Sequence, residues 1–488
     1  MISLLRSLTV LALSLGLSFS CLANDEFDKW LNKELDEYKN YQQAQDKEFM
    51  GMLKQAWREQ ELMYSPKRDN NPKPVTIPVA PKIPTEPKPR ITKDKEPVEL
   101  VRVKKQRVPK NIKISTPSTI TRKNPIKVMF YGTPITIYYE PHKLGSVQLS
   151  QINKTTIADY WDKASQSNYP ELVKQISYFG SKLELNDWGL LSLSNELAKK
   201  VHPNNIDSQK LFVWFTLNKL QKKARIGYNQ AGIQLMVAPN HTIYGTPYYT
   251  FDKDKYFLVL VDDRKKAGSL FTYEGSHPGE SKKIDINLAS LPKLHRVIES
   301  RGVEFKFKGQ QYQFSIPYNQ NMSTYFDQYP TTELSVYFHS KLSPETSNTL
   351  LKNLLVELRK MDERDAVNFL LAFVQNAFPY KTDDEQFGKE KYFFPDELFI
   401  HQYSDCEDRS VLFSFLVREL LGKQVVALSF PGHVATAIQL DGEFSGDSIN
   451  YKGLRYFVAD PTYVNATIGM TMPQFKNSTP TIIPLKRI

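Results

Sequence analysis

The 488-residue chain has only two cysteines, Cys21 and Cys406, which excludes a disulfide framework. Apart from the N-terminus it has no apolar run long enough to span a bilayer, which excludes a multi-span membrane protein. Most of it also lacks net charge. Residues 66–125 carry 16 Lys+Arg against 5 Asp+Glu and so hold all of the formal charge of +11. The remainder has 48 residues of each sign and gives no electrostatic argument for nucleic acid. Apolar material is plentiful: 41% of residues are hydrophobic, with 26 Tyr and 28 Phe. That is enough for sizeable cores, so wholesale disorder is excluded, and the length suits two or three domains.

Residues 1–23 have a short basic start, an apolar stretch to Phe19 and small residues at Cys21 and Ala23. This pattern predicts a secretory signal cut after Ala23 and a periplasmic or secreted protein. The rival reading, lipid anchoring at Cys21, fits less well because Ser18-Phe19-Ser20 lacks the usual Leu three residues before the Cys. Cys406 is then a lone thiol in an oxidising compartment: a small buried hydrophobe, half of an intermolecular disulfide, or a nucleophile.

Residues 24–64 predict an amphipathic, coiled-coil-like helix, with Phe27, Leu31, Leu35, Tyr38, Phe49 and Leu53 near helical spacing. Residues 65–125 predict an extended basic spacer, since 12 of the 30 prolines fall in 66–125. These two segments would carry any association with the cell envelope. Residues 126–343 read as an α+β domain, with paired strands over Lys127–Tyr139, helices over 150–220 and strands at Arg225–Tyr228, Ile233–Val237, Tyr256–Val261, Val303–Phe307 and Leu334–Phe338. Residues 344–488 form a last compact domain that opens with two amphipathic helices.

Three segments of that domain carry chemistry. In Tyr403-Ser-Asp-Cys406-Glu-Asp-Arg-Ser410, Asp405 is a natural N-cap with Asp408 at the capping-box position. Cys406 then falls in the first turn of a buried helix, where unpaired N–H groups favour a thiolate. Asp405, Glu407 and Asp408 oppose it, so the site needs a cation close by. In Pro431-Gly-His433-Val-Ala-Thr-Ala-Ile-Gln-Leu440, His433 opens a strand and shares its face with Ala435 and Ala437. In Leu454-Arg-Tyr-Phe-Val-Ala-Asp460-Pro-Thr-Tyr463, a strand ends in a carboxylate that can orient an imidazole. Taken singly, each has a blander reading: a structural His, an Asp-Pro turn. His401, five residues before Cys406, competes with His433 as the base. One Cys and scattered His residues do not supply four zinc ligands, so neither a metal nor a cofactor is expected.

Residues 345–488 resemble the transglutaminase-like superfamily, a branch of the papain-like cysteine enzymes. The resemblance lies in Phe373–Tyr380, the Asp405-Cys406 helix start, Leu416–Lys423 with its following strand, Gly432-His433 and Asp460–Tyr463. It implies an α+β fold of helices on an antiparallel sheet and acyl transfer through a thioester. Cys406 would be the nucleophile, His433 the base and then the acid, and Asp460 the group orienting His433. The aromatic residue usual just after the His is missing; Val434 and Ala435 stand there. The implied substrate is a protein, peptide or peptidoglycan-type amide, and neither water nor amine is singled out as acceptor. No oligomeric state is implied.

Aligned with itself at an offset of 200, the chain matches Leu211–Leu220 to Val411–Leu420 and Gly232 to Gly432, with Ile206 opposite Cys406 and Ile233 opposite His433. This predicts a degenerate copy of the last domain within 126–343. Two functions therefore compete: an exported cysteine enzyme, and a non-catalytic envelope scaffold that keeps the fold.

Overall fold

The computed structural model describes residues 24–65, 73–81, 97–108, 114, 123–141, 144, 146–260, 268–441 and 444–485. The signal or anchor expected at 1–23 lies outside these residues. The protein is α+β, with helices packed on antiparallel sheets.

The N-terminal helix spans Asn24–Leu53, not 24–64. The Trp57 indole donates to Leu53 O at 2.7 Å and takes up one of the carbonyls a helix end leaves open. The chain then turns extended. Trp57–Gln60 pairs with Leu270–Tyr273, and Met63–Tyr64 pairs with Pro247–Tyr248. The apolar residues at the helix's C-terminal end are also taken up by its own chain, whereas Tyr38 stays exposed. Phe49, 1% exposed, lies 4.7 Å from Trp161 and 5.5 Å from Tyr273, ring centre to ring centre. Asp46 is buried beside it, ion-paired to Lys219 and 3.4 Å from His277.

The two short strands occupy opposite edges of one sheet, whose order is 57–60, 270–273, 224–229, 232–237, 254–259, 247–251, 63–64. Laid flat, its edges would stand about 29 Å apart at ~4.8 Å per strand. Three residues from Gln60 to Met63 reach only about 11 Å. The sheet must therefore curl until its edges nearly meet. A domain starting at 126 would lose both edge strands and Phe49, so the first unit includes the N-terminal segment.

The second sheet has the order 448–451, 454–459, 433–439, 425–430, 481–484. Without its two N-terminal edge strands, the first sheet repeats this connectivity strand for strand. In both units a buried helix (Ile206–Lys219 or Cys406–Leu416) precedes the hairpin. Asn229 pairs with Gly232 across one hairpin, and Phe430 with His433 across the other. Lys210 Nζ donates to Ile233 O at 2.8 Å, and Ser410 Oγ donates to Val434 O at 3.0 Å. The helices thus correspond at an offset of 200 and the hairpins at 201. His433 falls on Gly232 rather than Ile233, while Cys406 stays on Ile206.

Three further expectations change. Leu334–Phe338 is a short helix, not a strand. Four apolar residues and one serine do not distinguish the two by periodicity, and all but Ser335 are buried. The hairpin of Ile298–Phe307 and Gln310–Asn319 packs on the last unit, with Phe305 centred 5.2 Å from Phe369 and 5.3 Å from Phe373. The described parts of the Pro-rich stretch are docked rather than free. Val98 N donates to Met361 O at 2.9 Å, Val101 N to Leu420 O at 3.0 Å, and Val79 bridges to Val464.

The two units share an apolar core. Phe394 stacks 5.0 Å from Phe326 and lies 4.5 Å from Tyr337. Cys406, Val411 and Val434 belong to a cluster that extends through the first unit.

Candidate functional site

Cys406 is the first residue of the Cys406–Leu416 helix. Asp408 fixes that start by accepting from Asp405 N at 3.1 Å and Phe393 N at 2.9 Å. Every residue of the helix is buried, which anchors the nucleophile candidate on a rigid element. Gly422, at φ +63°, stops the helix and sends the chain into Val425–Phe430.

The tight turn at Pro431-Gly432, with Gly432 at φ +70°, places His433 at the start of the central strand His433–Gln439. Ser410 ties the helix to this strand one residue beyond His433. Thr436 pairs with Ala459 on the next strand and also donates its hydroxyl to Ala459 O. Asp460 therefore emerges beside the imidazole. Its Oδ2 accepts from His433 Nε2 at 2.8 Å. Its Oδ1 accepts from Thr462 N at 2.9 Å and Tyr463 N at 3.2 Å, which fixes the carboxylate plane. The ring is clamped by Phe475, 5.2 Å away and nearly parallel at 9°.

His433 Nδ1 is buried and has no hydrogen-bond partner. No hydrogen bond joins it to Cys406 Sγ. The thiol, wholly buried, instead donates to Glu407 Oε2 at 3.1 Å. Burial pushes the thiol's pKa well up, and the carboxylates of Glu407 and Asp405 push it further. In this arrangement sulfur is a protonated thiol.

The cation that the acidic helix start requires is Lys73, 332 residues before Asp405 in the chain. Its Nζ lies 2.8 Å from Asp405 Oδ2, 2.8 Å from Glu390 Oε1 and 3.5 Å from Asp383 Oδ2, and it also pairs with Glu407. Burial opposes its charge, but Glu407, Asp405, Cys406 and Asp383 outweigh that and raise its pKa. Burial likewise pushes Glu407 up, yet Lys73 and hydrogen bonds from Asp405 and Cys406 hold it at about 2. Asp383 is raised to about 9 by burial and by the charges of Asp408 and Glu407.

His401 is engaged elsewhere. Its Nε2 lies 3.1 Å from Lys391 Nζ and 3.5 Å from Glu397, and its ring stacks on Phe393 at 4.7 Å. The set Asp327, Glu397 and His401 has cation-ligand geometry, but Lys391 Nζ already pairs with both carboxylates. In the first unit the positions matching Cys406, His433 and Asp460 are Ile206, Gly232 and Leu260, which carry no nucleophile, base or carboxylate.

Sequence reasoning missed Lys73, Asp383, Glu390 and Phe475. None of the four lies within the three segments that carry Cys406, His433 and Asp460. No family model, curated protein or solved structure matches the chain.

Proposed function

We propose that the protein is an exported, transglutaminase-like cysteine enzyme that transfers acyl groups from amides of peptide, protein or peptidoglycan type. The observation carrying this reading is the buried Asp460–His433 pair beside a helix that starts at Cys406, with His433 Nδ1 left without a partner. A buried ring nitrogen without a partner is costly, and it is the atom a general base needs. In the proposed cycle Sγ turns from Glu407 and gives its proton to Nδ1, and the sulfur attacks the acyl carbon. The imidazolium returns the proton to the departing amine nitrogen, leaving a thioester on Sγ. Water or an amine, deprotonated by the same nitrogen, then displaces the thiolate. Asp460 holds Nε2–H throughout and stabilises the imidazolium. On this reading the first unit is a copy of the same fold that has lost all three groups and now serves as scaffold.

A non-catalytic binding protein is the second reading. It is favoured by the Sγ–Glu407 hydrogen bond, which leaves sulfur protonated. p-Nitrophenyl acetate separates the two in the Cys21→Ser chain, with and without Lys73→Ala. The enzyme reading expects a burst of p-nitrophenol with one acetyl group on Cys406 by mass, lost in His433→Ala. Equal acetylation of His433→Ala and its parent would leave only the binding role.

A further inference from the structure

The group that neutralises the acidic helix start arrives on an extended peptide. Lys73 enters from the Pro-rich stretch, and the carbonyl of the next residue, Pro74, accepts from Tyr380 Oη at 2.6 Å. At the other end Ala80 N donates to Val464 O at 2.8 Å and Val464 N donates to Pro78 O at 2.9 Å, forming a parallel bridge at Val79. Ala80 is buried among Tyr463, Ala466 and Met472. The segment thus runs from the first turn of the Cys406 helix to the loop that follows Asp460. Main-chain bonds along a strand and a side chain in a specific pocket are how extended peptides are generally recognised.

The pocket is built for a cation of this shape. Asp383, Asp405 and Glu407 are 3%, 0% and 1% exposed, and Glu390 closes the outer side. Arg409, the buried cation nearest in sequence, spends its donors on Gln375 O, Phe378 O and Ser404 Oγ. Burial and neighbouring acids push Asp383 and Asp405 up towards their neutral forms, whereas Glu407 stays ionised against Lys73; a buried ionised carboxylate stripped of its cation is strongly unfavourable, so the pocket favours a cationic occupant. A compact ammonium with three donors matches carboxylates converging from several directions, whereas a planar guanidinium favours one carboxylate edge.

We propose that Asp383, Glu390, Asp405 and Glu407 form a binding site for the primary ammonium group of an extended, lysine-bearing peptide beside the Cys406 thiol, and that residues 73–81 fill it in cis. Calling that peptide a substrate rests on the acyl-transfer reading; the binding site itself does not. A tethered occupant acts at an effective concentration of order millimolar, so free peptide competes poorly until the strap is displaced. The strap is then a built-in competitor, and the class of ligand it imitates is a lysine side chain on an extended backbone.

The test is charge-selective labelling of Cys406 in full-length Cys21→Ser chain at low salt, followed by mass. The reagents are cationic 2-aminoethyl, neutral methyl and anionic 2-sulfonatoethyl methanethiosulfonate, with each rate divided by that for free cysteine. The parent chain should label slowly with all three. Lys73→Ala should label at least ~10-fold faster with the cation than with the anion, in the range that a focused local charge gives. Millimolar Nα-acetyl-lysine methylamide should slow the cationic reagent. Should Lys73→Ala fail to fold, Ala80→Arg dislodges the far end of the strap and keeps Lys73; its labelling should rise above the parent's and be suppressed by the same amide. The proposal is overturned by equal rates for cation and anion in the opened variant, by strap variants labelling like the parent, or by protection from calcium but not from the lysine amide. A missing p-nitrophenol burst would sink the acyl-transfer reading and leave these rates unchanged, so the two failures are distinguishable.

Discussion

Asp460→Ala separates the structural part of the candidate triad from its chemical part. The carboxylate, 2% exposed, accepts from three buried donors: His433 Nε2, Thr462 N and Tyr463 N. A buried donor left without a partner costs about 1–3 kcal/mol. The three together amount to about 3 kcal/mol if water enters the vacated space and more if it does not. For a unit of this size that lowers the melting midpoint by roughly 6–12 °C. Asn at the same position keeps one amide oxygen, which can serve either the turn or the imidazole but not both. Asp460→Asn should therefore lose less stability, about 1–2 kcal/mol, while still giving up orientation of the ring. The assay is thermal unfolding by near-ultraviolet circular dichroism, run beside the acetylation burst. The expected order of stability is wild type, Asn, Ala, with the burst impaired in both variants. An Ala variant as stable as wild type would refute the reasoning, because it would mean that the three donors find other partners and that the His433–Asp460 bond does not exist in solution.

Other outcomes follow from the same structure. Asp46→Ala strands Lys219 among Trp161, Tyr169 and Phe215 and should cost about 3–5 kcal/mol in denaturant unfolding; a loss under ~1 kcal/mol would mean that the N-terminal helix does not dock this way. His202, buried and 2.9 Å from the Tyr160 hydroxyl, is lowered to about 4 by burial. Between that value and its ordinary 6.5 the unfolded chain binds the proton, so stability is complete above pH ~6.5 and falls by up to about 3 kcal/mol as the pH drops to ~4. His202→Gln should flatten that slope in pH-dependent unfolding. Gly232 stands at φ +104°, and a Cβ there would collide with the Asp207 carboxylate that accepts from Ile233 N at 2.7 Å. Gly232→Ala should cost about 1–3 kcal/mol, whereas Gly302→Ala, with open space around it, should cost far less in the same unfolding assay.

What could be read in advance was local. The Asp405–Cys406 helix start, the Pro431-Gly432 turn and the carboxylate ending a strand at Asp460 are each specified within about ten residues. The likeness in helix position and strand order between the two units was legible because the spacing of helix and strands is similar in both; the hairpin register differs by one, which moves the position opposite His433 from Ile233 to Gly232. Lys73 was not legible, because it is one of several lysines beside prolines and nothing local ties it to a pocket 310 or more residues away. The helix over 24–53 offered an apolar face but no sign that its partner was Trp161 and Tyr273 of the same chain. Leu334–Phe338 was too short for its period to choose between strand and helix.

The curled sheet of the first unit has a consequence for how the molecule is made. Trp57 pairs with Tyr273, and Met63 with Tyr248, so two of the earliest strands have no partners until more than half of the chain has been synthesised. Pairing across such separations is slow, since a loop of about two hundred residues must close first. Until it closes, Leu270–Tyr273 and Pro247–Phe251 present open backbone edges, which invite pairing with another chain. The N-terminal segment therefore acts as a late-arriving guard of both edges. A chain cut short ahead of residue 125 would keep most of its core and still be prone to join its neighbours edge to edge.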